Sequence, residues 1–104
     1  MYAAKIIGTA VCTVKDAKMT GLKLLVVQPI SLLTLENEGK PVVAVDVVGA
    51  GEDEVVLVVA GSSARQTDLT QNLPVDAAIM GVLDFIDIEG RKVFEKFPDA
   101  GRDA

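Results

Sequence analysis

Val42-Val43-Ala44-Val45-Asp46-Val47-Val48 and Val55-Val56-Leu57-Val58-Val59-Ala60 decide the fold, with Gly49-Ala50-Gly51-Glu52-Asp53-Glu54 as the turn between them. β-Branched side chains are stiff about χ1 and fit a pleated surface, so both runs read as strands. A strand with one wet face alternates apolar and polar residues. These two barely alternate, so both of their faces need cover. Sixteen of the 104 residues are valine, a surplus for a lone small domain. Burial between subunits is one use for it, because obligate interfaces resemble a core cut in half.

Outward from the valine runs, the remaining strands fall between Gly-centred turns. Tyr2 to Val14 reads as a long first strand with Gly8 inside it, a position that signals a bulge or a close backbone approach. Leu22 to Gln28 reads as a second strand, stopped at Pro29 by the missing ladder donor. Leu32, Leu33 and Leu35 either extend that strand or form a satellite cluster. After the valine runs, Ser62 or Ser63 can cap a short helical turn through Ala64-Arg65-Gln66. Ile79 to Ile88 then leads through Glu89-Gly90 into Arg91 to Lys96, with Leu83, Phe85 and Val93 facing inward and Asp84 and Asp87 exposed. Five main strands and one short helical turn define an all-β fold, a small OB-like β-barrel. Residues 1–97 form one domain, and 98–104 read as a loose tail.

The composition narrows the function. Net charge is −5, the basic residues are scattered, and the mean hydropathy is +0.40. Phosphate neutralisation needs clustered Lys and Arg, so nucleic acid is an unfavoured partner. An OB-type oligonucleotide-binding module is the alternative reading, and it calls for aromatic stacking platforms. Only Tyr2, Phe85, Phe94 and Phe97 are aromatic. There is no histidine, which removes the commonest general acid–base group and metal ligand. The single cysteine, Cys12, excludes an internal disulfide and fits a reducing compartment. Neither a membrane-spanning run nor a secretory signal is evident, so the expectation is the cytoplasm and no membrane partner.

Each motif that suggests chemistry has a stronger structural reading. Gly49-Ala50-Gly51 lacks a third glycine and precedes a strand, which argues for a turn over a dinucleotide loop. Gly61-Ser62-Ser63-Ala64-Arg65 has no closing glycine and no histidine to activate a serine, so a nucleophile elbow fails. Asp46, alone in an apolar strand, reads as a carboxylate paired with Arg65, Lys23 or backbone N–H groups, within one barrel or across a subunit boundary. Cys12 reads as a buried structural thiol. Asp84 and Asp87 lack a third ligand for a metal. No catalytic residue, metal site or cofactor is expected.

Five segments taken in order carry a resemblance. They are Ile7-Gly8-Thr9-Ala10-Val11, Gly21 to Pro29, Val43 to Gly51, Gly61 to Gln66, and Pro74 to Asp84. The series resembles the vertex proteins of bacterial microcompartments, the pentameric shell family of carboxysomes and ethanolamine-type metabolosomes. That resemblance implies a non-enzymatic homopentamer, a cyclic ring around a narrow axial pore. The ring caps a vertex of a polyhedral shell whose facets are hexameric shell proteins of a different fold. It further implies that Gly61, Ser62, Ser63, Ala64 and Arg65 lie near the fivefold axis and pore, and that Gly8, Asp46 and Asp76 are structural or interface positions. The Ser31 to Leu35 segment is more apolar than the usual hairpin tip, and the tail is particular to this chain.

Overall fold

The structure is a computed structural model that describes residues 1–13, 15–71 and 75–97. Five strands close a barrel in the spatial order β1-β2-β3-β5-β4: β1 Tyr2–Ala10, β2 Leu24–Pro29, β3 Val42–Asp46, β4 Val55–Ala60 and β5 Ala77–Val82. A hairpin of β6 Phe85–Ile88 and β7 Arg91–Glu95 stands apart as a two-stranded sheet. Every barrel pairing is antiparallel except β3 with β5, which is parallel and short, joining Val45 to Ala78 and Asp46 to Ile79. The two valine strands are therefore consecutive in sequence but not neighbours in space: β5 lies between them.

The barrel interior follows the two-residue period of its strands. Ala4 and Ile6 of β1, Leu25 and Val27 of β2, Ala44 of β3, Val56 and Val58 of β4, and Ala77 and Ile79 of β5 form one buried cluster. Tyr2, Val42 and Val82 close its ends. Small inward residues such as Ala4, Ala44 and Ala77 let a barrel of five strands fill without voids. Gly8 marks the expected bulge. The register runs Ile6 to Val27 and then Gly8 to Val26, which leaves Ile7 unpaired and turned outward. The close-approach alternative is not needed, because a Cβ on Gly8 would meet its nearest neighbour, Val26 Cβ, at an ordinary 3.9 Å.

The need for cover on the outer faces is met largely within the chain. Val55, on the outer face of β4, packs with Ala3 and Ile30 under Leu35, Leu83 and Phe94. Val59, two turns of the pleat further on, is covered by Ala64 and Ala78. The outer face of β3 is different: Val43 is 49% exposed. Beside it runs a shallow groove of about 190 Å³ formed by Met19, Leu24, Val43, Val45 and Val75 with Asp76 and Ala77.

Several sequence expectations change. β1 ends at Ala10, where its pairing with Leu24 ends. Cys12 lies beyond that point and is exposed, so the buried-thiol reading fails. β2 includes Pro29, paired with Ala4, and the chain then turns tightly: Glu38 N–H donates to the Pro29 carbonyl (2.8 Å). Of the three leucines there, only Leu35 joins a satellite cluster, and Leu32 and Leu33 stay exposed. The run from Ile79 to Ile88 breaks between β5 and β6, which resets the alternation. Ile86 and Ile88 are consequently half-buried, and Phe85 is exposed with Lys92 Nζ 5.3 Å from its ring centre. The Glu89-Gly90 turn has positive φ at both positions, the geometry that suits a two-residue hairpin. The tail at 98–104 and Pro74 of the fifth motif segment lie outside the described residues.

Candidate functional site: the cap over the barrel

After β4, residues 61–71 fold into a cap that packs on the outer face of β4 and β5 through Ala64, Val59 and Ala78. Gly61 opens it with φ +65°, a left-handed conformation that suits glycine, and its N–H donates to the Asp76 carbonyl (2.7 Å). Residues Gly61–Arg65 then make a 3-10 helix. Its N-cap is Ala60 with no side-chain cap, so neither Ser62 nor Ser63 caps it as the sequence suggests. Both serines are exposed and free to face outward.

Ala64 is the anchor of the cap. It is fully buried against Val59 and Ala78, so its side chain is committed to its own protomer. Arg65 is exposed, but Nη1 donates to the Val75 carbonyl (3.1 Å) and ties the cap to the segment entering β5. Thr70 completes the structure. Its side chain is fully buried, its Oγ1 donates to the Ala64 carbonyl (2.6 Å), and it shares a 2.5 Å hydrogen bond with Thr67 Oγ1. Nothing in the polar composition of this stretch marks Thr70 as buried. The Thr67-x-x-Thr70 spacing, with each residue bonding the other's backbone N–H, was the available signal.

Asp46 resolves to the paired reading within one barrel. Its Oδ1 accepts from Val48 and Gly49 N–H (both 3.1 Å), and Oδ2 accepts from Ala50 N–H (2.9 Å) and lies 3.3 Å from Lys23 Nζ. The carboxylate shapes the turn after β3, and Gly49 there has φ +77°. Asp76 is exposed; its charge adds to burial, the larger cause, in raising the Tyr2 phenol above its ordinary pKa. Gln28 is a further buried polar group that the sequence did not flag, donating to the Pro29 and Gly39 carbonyls (2.9 and 3.1 Å). Among the described residues no buried side-chain polar atom lacks a partner.

The acidic turn is less solvated than its sequence suggests. Glu54 accepts from Gly51 N–H (2.6 Å) and forms a close ion pair with Lys96, which docks the β6–β7 hairpin to the barrel. The Lys96 hydrogen bond, then the Gly51 N–H, hold the Glu54 carboxyl below the ordinary glutamate range. Leu83 N–H to the Val55 carbonyl (2.8 Å) is a second tie between hairpin base and β4. Among the described residues, no group of His, Cys, Asp and Glu is placed to hold a metal ion.

Fold and cap together define a class: a closed five-stranded barrel of OB strand order with a polar 3-10 cap directly after β4. The family model described as ethanolamine utilisation protein EutN/carboxysome matches residues 1–84, and the chain belongs to that family. It is 42% identical over 100 residues to the carboxysome shell vertex protein CcmL of Synechococcus elongatus, covering 92% of this chain and 96% of that one. Another relative is the bacterial microcompartment shell vertex protein GrpN of Rhodospirillum rubrum, 44% identical over 87 residues, with 84% and 97% covered. Among solved structures, CcmL of a Nostoc species aligns with a TM-score of 0.87 at 42% identity, covering 92% and 100% of the two chains. The R. rubrum GrpN pentameric microcompartment shell protein aligns at 0.75 and 43% identity, covering 85% and 100%.

Proposed function

We propose that this chain is a structural, non-catalytic shell protein that assembles as a ring of five and closes the vertices of a polyhedral bacterial microcompartment. It resides in that shell within the cytoplasm, and its neighbours there are hexameric facet proteins. The observation that carries the reading is the match, over 85% of this chain, to a relative solved as a pentameric shell protein. A flat sheet of hexameric units needs fivefold units to close, and a small rigid barrel can supply one.

A ring requires two different patches that meet between successive subunits. The outer face of β3 supplies one of them: Val43 is the valine of these two strands that the protomer leaves most exposed, and the groove of Met19 and Leu24 runs beside it. The cap faces the fivefold axis, with Gly61, Ser62, Ser63 and Arg65 around a narrow pore and Ala64 holding them in place from below. Gly8 and Asp46 serve the protomer's own geometry, as bulge and turn acceptor, and Asp76 receives the cap's first N–H through its carbonyl.

Native mass spectrometry tests the assembly. The expected species has five times the 10.9 kDa chain mass, and monomer alone at micromolar concentration would overturn the ring. The competing oligonucleotide-binding reading predicts salt-sensitive retardation of single-stranded DNA; the net charge of −5 weighs against it.

A further inference from the structure

The cap carries a cavity of about 450 Å³ lined by Ser62, Arg65, Gln66, Thr67, Asp68 and Gln71. Metabolite pockets are ordinarily lined mostly by apolar side chains. This one offers hydrogen bonds and charge instead. Its shape is built rather than incidental. Thr70 locks the loop from beneath, Gln71 N–H donates to the Thr67 carbonyl (2.9 Å), and the Arg65 bond to Val75 holds the guanidinium in place.

Arginine has five N–H donors in a fixed fork. The Val75 carbonyl takes one, and among the described residues no other acceptor bonds the fork. Among the described residues, no carboxylate lies within 4.0 Å of Arg65 and no cation within that distance of Asp68. Arg65 and Asp68 thus line one cavity without a direct ion pair between them. A simple anion entering it is repelled by Asp68, and a simple amine by Arg65. A molecule bearing both charges satisfies both walls. The Gln66 and Gln71 amides and the Ser62 and Thr67 hydroxyls can each donate or accept, which suits the remaining polar atoms of such a molecule.

We infer that the cap binds small zwitterionic amino carboxylates, with the carboxylate on the Arg65 fork and the ammonium on Asp68. The site goes beyond the shell role, and its six lining residues all lie within one short stretch, 62–71. In a ring with the cap toward the axis, a copy of the cavity would stand beside the opening on every subunit.

The test is an amide NMR titration of the full chain with L-alanine, with propionate and ethylamine as controls that each lack one of the two charges. L-Alanine is expected to shift the Ser62 to Gln71 amides saturably, and each control to bind at least about tenfold more weakly. Asp68→Asn, at an exposed position, should erase the preference for alanine over propionate. Arg65→Lys, which keeps the charge but loses the fork, should weaken alanine binding. Equal binding of propionate and alanine, an unchanged alanine affinity in D68N, or no saturable shift would overturn the site. Native mass spectra of the same samples separate this outcome from the assembly: an intact ring without binding condemns the cavity alone, and binding by a monomer condemns the ring alone.

Discussion

Asp46 and Lys23 are joined twice. The Asp46 N–H donates to the Lys23 carbonyl (2.9 Å), and the Lys23 ammonium lies 3.3 Å from Asp46 Oδ2. The backbone bond extends the β2–β3 ladder by one step, and the side-chain pair sits over the turn that follows. The two partners are unequal, with side chains 1% exposed for Asp46 and 55% for Lys23. Asp46→Asn leaves three turn N–H groups with a single acceptor oxygen and should cost about 2–4 kcal/mol. Lys23→Ala should cost about 1 kcal/mol or less, since an exposed cation is screened by water. Urea unfolding of both variants measures the difference, and equal losses would mean that the turn N–H bonds carry little.

The hairpin dock should respond to acid through Glu54. Its folded carboxyl is held below the ordinary value by Lys96 and Gly51, so its stabilisation is present above that ordinary value, about 4.3. The contribution fades as pH falls below it and is gone once pH passes the lowered folded value. Hydrogen exchange at the Lys96 amide, which bonds the Asp84 carbonyl at the hairpin base beside the Glu54 pair, should accelerate across that window. In Glu54→Gln the same amide should exchange faster at neutral pH and lose the acid step.

Ala64→Leu should destabilise the protomer by about 1–3 kcal/mol. The site is fully buried between Val59 and Ala78, and extra methylenes force the cap off the barrel. Thermal melting checks this. A neutral result would show that the cap tolerates being lifted.

With the cap at the axis as proposed, Ser62→Trp and Ser63→Trp should leave the ring mass unchanged while narrowing the opening. Both side chains are exposed and bond nothing in the protomer that holds the cap together. A variant crystal structure with an unaltered opening would remove these serines from the axis.

Val43→Lys should convert the ring to monomers with an unaltered far-ultraviolet spectrum. The residue is 49% exposed and pairs with Val26 through its backbone, so a lysine is tolerated by the lone barrel but not beneath a neighbour. Light scattering gives the mass, and a persistent pentamer would move the contact elsewhere.

Local patterns were the legible part of this fold. The valine runs read as strands, Gly8 as a bulge and Asp46 as a paired carboxylate with Lys23 among its partners, because each depends on residues near in sequence or on a simple burial cost. Phe85 was misread because a break at Leu83 and Asp84 resets the alternation, and nothing in the apolar run announces a break. Cys12 was misread because the end of β1 depends on where β2 stops accompanying it. Gln28 was missed because its burial depends on the Gly39 carbonyl brought back by the loop that follows, and Thr70 because its clamp to Thr67 and Ala64 is local but has no apolar pattern to announce it. The valine runs signal that both faces need cover without saying from where; over Val55 and Val59 it comes from the chain's own loop, hairpin and cap.

The place of β5 has a consequence for how the molecule comes into being. β3 and β4 are both synthesised before it, yet each has β5 as its second partner in the barrel. Until residues 77–82 emerge and insert, the two valine strands are open edges, apolar on both sides and able to template pairing with another chain. The protomer is therefore most prone to misassociate just before it is complete, while the short parallel seam of Val45 with Ala78 has yet to form. A cell making many copies side by side, as a shell requires, would gain from slowing encounters between nascent chains until that strand is home.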